Sequence, residues 1–153
     1  MQESRLTAVG AAAEELIAET FRLGGRLSAA GDAVVANLGI TAARWQVLAG
    51  ITRQSAPEPV ARLARNLGLS RQNVQRIVNE LVTDRLVRLE ENPHHKRAKL
   101  VILTPRGRRV YEDAERRQTP WINVLASGLT VDQITAASRV LRTLRTRLET
   151  ADD

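Results

Sequence analysis

The sequence predicts a mainly α protein of the α+β class, and three observations carry that prediction. Apolar residues recur at helical spacing along most of the 153 residues. The period drops from about 3.6 to about 2 in one short stretch only, after Arg85. Aromatics make up 3% of the chain against 43% apolar residues in all, so the core must be Leu, Val, Ile and Ala, which suits helices stacked on helices. A chain of this length buries one modest core, with or without an added oligomerisation arm.

The first helix is expected over residues 8–37, where Leu16, Thr20, Leu23, Leu27, Ala30 and Val34 alternate by four and three and form a seam for a partner helix. A glycine inside a helix costs about 1 kcal/mol, so Gly24, Gly25 and Gly31 imply a bend or a close helix approach near Gly24 or Gly31. Gly39 ends this element. Thr41 caps the next, over 42–53, which turns Trp45, Val47, Leu48 and Ile51 inward. Ser55, Ala56, Pro57, Glu58 and Pro59 read as a loop. A compact helix over 59–67 then stops at Gly68, and Ser70 stands where the cap of a further helix belongs.

In that further helix Val74, Ile77, Val78 and Leu81 follow i, i+3, i+4, i+7 and make one apolar stripe. Gln72, Arg76, Asn79 and Thr83 cluster on the opposite side, flanked by Asn73 and Gln75. Amides and guanidinium are the groups that pair bidentately with adenine and guanine edges. Helix, tight glycine turn, helix is the helix-turn-helix layout, and this face is its reading surface. Any amphipathic helix pair also shows a polar outer face, which is the plainer reading.

Residues 86–91 and 98–103 alternate as strands, and Asn92, Pro93, His94, His95, Lys96 and Arg97 form a cationic loop between them. Directly behind a helix-turn-helix such a hairpin is a wing, set to reach phosphate or the minor groove. Thr104 and Pro105 open a helix running to Gln118, which Thr119 and Pro120 are expected to interrupt. Trp121, Ile122, Val124 and Leu125 resume an apolar helical run that Ser127 and Gly128 stop. Thr130 and Gln133 form a capping box for the last helix, where Ile134, Ala137, Leu141, Leu144 and Leu148 make a second seam.

Charge points the same way as the reading face. The chain carries a net +6, and between Pro59 and Arg109 there are 12 basic and 4 acidic residues, so the remainder is net negative. A basic region around the helix pair is the footprint of a nucleic-acid binder, although a solvated basic face has the same composition. The absence of cysteine excludes disulfides, thiol redox sensing and zinc-finger ligation. No enzyme and no cofactor are expected, because the chain lacks a convergent set of acids, bases and nucleophiles and a phosphate-cradling glycine loop. His94 and His95 point apart in an extended loop with no third ligand, so no metal is expected there. No run of about 18 apolar residues exists, and Met1, Gln2, Glu3, Ser4 and Arg5 do not lead into a signal-peptide core. A soluble cytoplasmic protein with no membrane partner is the expectation.

The order of parts resembles the MarR family of winged-helix transcriptional regulators over nearly the whole chain. The matching stretches are Leu38-Gly39-Ile40-Thr41 with Arg44-Trp45-Gln46-Val47-Leu48, Leu63-Ala64 through Leu67-Gly68-Leu69-Ser70, Val74-Gln75-Arg76-Ile77-Val78-Asn79-Glu80-Leu81, and Lys96-Arg97-Ala98 through Leu103-Thr104-Pro105-Arg106-Gly107. The resemblance implies a homodimer with interlocked terminal helices, a recognition helix in the major groove, a wing in the minor groove, and often release by a small phenolic ligand. It places residues 70–76 on the recognition helix and Arg97 on the wing arginine. His95 stands where the family usually has Asp, so the carboxylate that would orient the arginine is missing. Arg85 stands where a glycine commonly precedes the first wing strand, which implies a different helix cap.

The expected organisation is a dimerisation helix over 1–37, a winged helix-turn-helix over 38–107 and dimerisation helices over 108–153, interlocked as one domain. The expected function is sequence-specific binding of a pseudo-palindromic double-stranded operator, as a repressor released by a small aromatic or phenolic ligand. Gln72, Asn73, Gln75 and Arg76 are the base-reading candidates, with Asn79 a further DNA-binding candidate on the same face, Ser70, Arg71 and Thr41 nearer the backbone and His94, His95, Lys96 and Arg97 on the wing. Leu16, Leu23, Leu27, Trp121, Leu125, Ile134, Leu141, Leu144 and Leu148 are the dimer candidates, because those seams have no other apolar surface to cover. Phe21, Arg22, Arg26 and Trp45 are the ligand candidates, an aromatic wall with guanidinium groups. Trp45 and Phe21 filling core beside solvated arginines is the alternative. A winged helix used for protein contact or non-specific nucleoid packing is the rival function; such a binder would carry more Lys and Arg on the reading face than Arg76 alone.

Overall fold

The structure, a computed structural model, describes residues 5–151. Met1 to Ser4, part of the stretch read above as unlike a signal peptide, lie outside the described residues. The order is α1 (Ala8–Val35), a 3-10 turn (Ala36–Leu38), α2 (Ala42–Thr52), β1 (Glu58–Pro59), α3 (Val60–Leu67), α4 (Arg71–Thr83), β2 (Val87–Glu90), β3 (Leu100–Leu103), α5 (Pro105–Leu125) and α6 (Val131–Ala151). Two compact units result, one up to Gln118 and one from Thr119.

Side-chain caps set the starts of α1 and α2. Thr7 caps α1 by accepting from Gly10 N at 3.0 Å. Thr41 caps α2 by accepting from Arg44 N at 3.2 Å, and Asp32 of α1 accepts from Ala42 N at 2.7 Å, so α1 supplies part of the α2 cap. Gly31 is buried because α1 meets α2 there: a Cβ on Gly31 would sit 2.9 Å from the Cβ of Ala42. The close approach anticipated from the glycines is therefore at Gly31, whereas a Cβ on Gly24 would have nothing within 4 Å. Gly39 and Gly68 take left-handed φ of 71° and 66°, ending the 3-10 turn and α3 without the penalty an L side chain incurs.

Behind α4 the backbone does something the sequence did not suggest. Arg85 itself adopts the left-handed conformation, φ 59°, with Arg85 N donating to Val82 O at 3.0 Å and Leu86 N to Leu81 O at 2.8 Å. That is the Schellman geometry a glycine would give, so the expectation of a different cap is corrected: the cap is the same, and Arg85 bears a cost of roughly 1 to 2 kcal/mol for holding it.

The sheet is antiparallel with order β1-β3-β2. Val87 pairs with Leu103 and Glu90 with Leu100, making the predicted hairpin. Glu58 and Pro59, read above as loop, instead form β1, with Glu58 opposite Val101 and Pro59 opposite Leu100. The pairing is non-local and only two residues long, and Pro59 is tolerated because β1 is an edge. The core under this sheet gathers Trp45, Val47 and Leu48 of α2, Leu63 of α3, the α4 stripe Val74, Ile77, Val78 and Leu81, Leu86 and Val87 at the first wing strand, Val101 of β3 and Ala114 of α5.

Pro120 does not break the helix. α5 runs unbroken from Pro105 to Leu125, and the expected interruption at Thr119 and Pro120 is corrected. Proline has a φ that already suits a helix, so it removes one N–H from the ladder and weakens a turn without having to stop the element. In the second unit Thr130 and Gln133 form the predicted capping box, Gln133 N donating to Thr130 Oγ1 at 3.2 Å and Thr130 N to Gln133 Oε1 at 2.9 Å. α6 has no buried residue, and Ile134, Leu141 and Leu148 lie exposed along it. No single helix among the described residues is long and apolar enough to cross a membrane.

Candidate nucleic-acid interface

The reading surface is built by burying one side of α4 completely. Val74, Ile77, Val78 and Leu81 are all but solvent-free, which fixes the rotation of the helix and leaves Arg71, Gln72, Arg76, Asn79 and Thr83 outward. Ser70 accepts from Asn73 N at 3.2 Å and so starts α4 just before Arg71. Arg71, Gln72, Gln75, Arg76, Asn79, Glu80 and Thr83 line an open concavity of about 770 Å³ on this face.

Within that concavity the polar side chains are organised by one another. Gln75 Nε2 donates to Asn79 Oδ1 at 2.9 Å. Arg76 is held twice, its Nη1 donating to Glu80 Oε1 at 2.6 Å and its Nη2 to Asn73 Oδ1 at 2.9 Å. Glu80 also faces Arg44 of α2, whose Nε stands 3.8 Å from Glu80 Oε2 and whose Nη2 pairs with Asp84. Sequence reasoning singled out Asn73, Gln75, Arg76 and Asn79, and the structure puts them on one face; it missed Glu80, Arg44 and Asp84, because their pairing joins α2 to α4 and leaves no periodic signal.

The wing stands beside this face. Residues 91–99 connect β2 to β3, and Asn92 orders the tip by accepting from His94 N at its side chain, 3.0 Å, and from His95 N at its carbonyl, 3.2 Å. His94, His95, Lys96 and Arg97 are all exposed. A groove of about 230 Å³ runs between wing and reading helix, lined by Pro59, Val60, Ala61, Arg71, Gln75, Leu89, Arg97, Ala98 and Lys99. Arg71 and Arg97 thus share one cationic groove, with Lys99 as a third cation that the strand assignment of 98–103 had hidden. Thr41 is exposed at the start of α2, where its hydroxyl caps the helix.

The ligand candidates are not gathered in the same way. Trp45 is 7% exposed and belongs to the core, yet its Nε1 is buried without a hydrogen-bond partner, and one side of the ring borders a cavity of about 320 Å³. That cavity is lined by Gln46 and Ala49 of α2, Arg53 just after it, Asn66 and Leu67 of α3, and Glu115 and Gln118 of α5. Burial first, and then the Glu115 carboxylate, push the Tyr111 hydroxyl above its ordinary pKa, with Arg53 opposing. Phe21, Arg22 and Arg26 are exposed on α1 and are not among the lining residues; Arg22 pairs with Glu19 at 2.9 Å. Of the dimer candidates, Leu23, Leu27, Leu125, Ile134, Leu141 and Leu148 are exposed in the single chain, and Leu16, Trp121 and Leu144 are half-buried. No group of His, Cys, Asp or Glu among the described residues is arranged to hold a metal.

Helix pair, hairpin and flanking helices match known proteins in this order. A MarR family profile matches residues 38–98, the helix-turn-helix and wing. An uncharacterized protein of Mycobacterium tuberculosis (strain ATCC 25618 / H37Rv) is 39% identical over 127 residues, covering 83% of this chain and 87% of that one. A MarR family transcriptional regulator from Streptomyces coelicolor superposes with a TM-score of 0.75 at 25% identity, covering 92% of this chain and 98% of that one. This chain belongs to the MarR family. A mutant MarR from E. coli, solved complexed with operator DNA, superposes with a TM-score of 0.76 at 24% identity over 85% of this chain and 93% of that one. The MarR fold accounts for the α4 face and the wing lying side by side, because the Leu86 turn that ends α4 begins the first wing strand.

Proposed function

We propose that this MarR-family chain is a sequence-specific, double-stranded DNA-binding transcription regulator that works as a homodimer and represses by occupying a pseudo-palindromic operator. The observation that carries the reading is the α4 face: amides and the Arg76 guanidinium, ordered by hydrogen bonds, on a helix whose other side is locked in the core. Residues 38–107 read DNA, and residues 1–37 and 108–153 bring two copies together. Two such helices related by a two-fold axis read half-sites roughly 34 Å apart. Gln72, Asn73, Gln75, Arg76 and Asn79 take base edges. Ser70, Arg71 and Thr41 take the backbone beside them. Arg97 enters or flanks the minor groove, and His94, His95 and Lys96 meet phosphate.

The test separates base reading from charge. Arg76→Ala should cost about 1 to 3 kcal/mol per half-site and relax preference at one base pair, while Arg71→Ala should weaken every sequence alike and flatten the salt dependence. Equal loss on operator and random duplex for Arg76→Ala would remove Arg76 from base reading. The rival, a winged helix used for non-specific packing, predicts that the wild-type protein itself makes no such distinction.

Effector release belongs to the same proposal and is placed at the Trp45 cavity. Its volume suits a small aromatic anion, whose ring would lie against the indole and whose carboxylate would meet Arg53. Such a ligand releases DNA only by preferring a dimer in which the recognition helices are mis-spaced. Salicylate titrated calorimetrically should bind the wild-type protein and lower its operator affinity, and Arg53→Ala should weaken salicylate about tenfold. Salicylate binding that Arg53→Ala leaves undiminished, or that leaves operator affinity untouched, rules this cavity out as the effector site.

A further inference from the structure

We propose that Glu80, backed by Arg44, is a specificity-determining residue: it holds Arg76 in register for one base pair and at the same time repels DNA that lacks it. This rests on the DNA-reading role given above to Arg76. The arrangement is a chain of alternating charge. Arg76 meets Glu80, Glu80 meets Arg44, and Arg44 meets Asp84, so two cations and two anions neutralise one another across α2 and α4.

The first effect falls on Arg76. A guanidinium on an exposed helix is ordinarily mobile, and binding must freeze it. Here Nη1 is tied to Glu80, one turn ahead, and Nη2 to Asn73, one turn behind. Those bonds leave Nε–H and a second proton on each Nη for DNA. The side chain is therefore ordered before it meets a base, and its charge is already paired, so it gains less than a free arginine would from an arbitrary phosphate. Both effects favour the contact that needs geometry over the contact that needs only charge.

Arg44 explains why Glu80 can stay in that position. Glu80 and Asp84 stand one turn apart on the same face, and like charges at that spacing repel. The Arg44 side chain, only 13% exposed, lies between them and α2, and its own backbone N–H is fixed by Thr41. Its Nε is buried with no hydrogen bond, and a Glu80 carboxylate oxygen stands 3.8 Å away. Arg44 itself is too enclosed to read DNA. It acts through Glu80, as a positioning residue.

The experiment uses the full chain and an operator selected from a random duplex library with the wild-type protein. Dissociation constants are measured at one salt concentration for that operator, for operators altered one base pair at a time, and for random duplex. Glu80→Gln is expected to lower discrimination at the base pair assigned to Arg76 by about tenfold, to spare discrimination elsewhere, and to tighten random-duplex binding through loss of one negative charge. Arg44→Met is expected to lower discrimination at that same base pair, and Arg44→Lys, which keeps a cation beside Glu80, to restore part of it. Glu80→Gln with that discrimination unchanged within about twofold overturns the inference and leaves Arg76 as a base reader. A uniform loss at every operator position also overturns it, because that is what a merely structural Glu80 would give. A wild-type protein with no base preference at all fails earlier, at the reading of α4 itself.

Discussion

Gly107→Ala should destabilise the protein by about 3 to 5 kcal/mol and lower its melting temperature by roughly 10 °C, although it adds a single methyl group. The reason is the crossing of α5 over the turn between α4 and the wing. A Cβ on Gly107 would overlap the carbonyl oxygen of Leu86 and stand 2.9 Å from its carbonyl carbon and 3.0 Å from Leu103 Cδ1. The Leu86 carbonyl has no room to move, since it accepts from Thr104 N at 3.1 Å and from Thr104 Oγ1 at 3.0 Å. Leu86 N is meanwhile committed to Leu81 O, and its side chain is in the core. Thr104 Oγ1 also accepts from Gly107 N at 3.0 Å, so the same strain would reach the α5 cap. Gly24→Ala is the matching control: no atom lies within 4 Å of the added methyl, and helix propensity should raise stability by up to about 1 kcal/mol. Thermal unfolding of the two variants should move in opposite directions. A Gly107→Ala protein melting within about 2 °C of wild type would mean that the crossing is not tight.

Leu144→Asp should abolish the dimer and with it operator binding. α6 carries no buried residue in the single chain, and Ile134, Leu141 and Leu148 are exposed beside the half-buried Leu144. An isolated helix of 21 residues draws most of its stability from packing an apolar side against something, and in this reading the something is a second copy. A carboxylate in that seam has no cation to meet; burying it unpaired costs several kcal/mol, and two-fold symmetry applies the cost twice. Sedimentation should show monomers at concentrations where wild type is dimeric, and operator affinity should fall by at least about a hundredfold because half-sites would be bound singly. A stable, operator-competent monomer in either protein would contradict the dimer.

What the sequence disclosed and what it hid divide along the range of the interactions. The α4 stripe and its polar reverse were legible because a 3.6-residue period in Val74, Ile77, Val78 and Leu81 is written in consecutive residues. Thr41, Ser70 and the Thr130 with Gln133 capping box were legible for the same reason. β1 was not, because Glu58 and Pro59 become a strand only when β3 arrives beside them. Pro120 misled because a proline inside a helix weakens it without having to end it. Arg85 misled in the other direction, since the backbone took the shape suited to glycine and accepted the strain. At the reading surface the residue types and the i, i+4 spacing of Arg76 and Glu80 were visible, but the links from Glu80 and Asp84 to Arg44 were not, because they join α4 and its cap to a helix far away in sequence.

The scarcity of aromatic side chains, which leaves the core to aliphatic residues on helices, has a practical spectroscopic consequence. The chain holds two tryptophans, Trp45 in the unit that ends at Gln118 and Trp121 in the unit that begins at Thr119. Each unit therefore carries its own fluorophore. Trp45 is buried, whereas Trp121 is partly in water. Replacing either by Phe leaves an emission spectrum that reports on one unit alone. With such a pair of variants, denaturant titrations can say directly whether the DNA-reading unit and the α6 unit melt in one transition or in two.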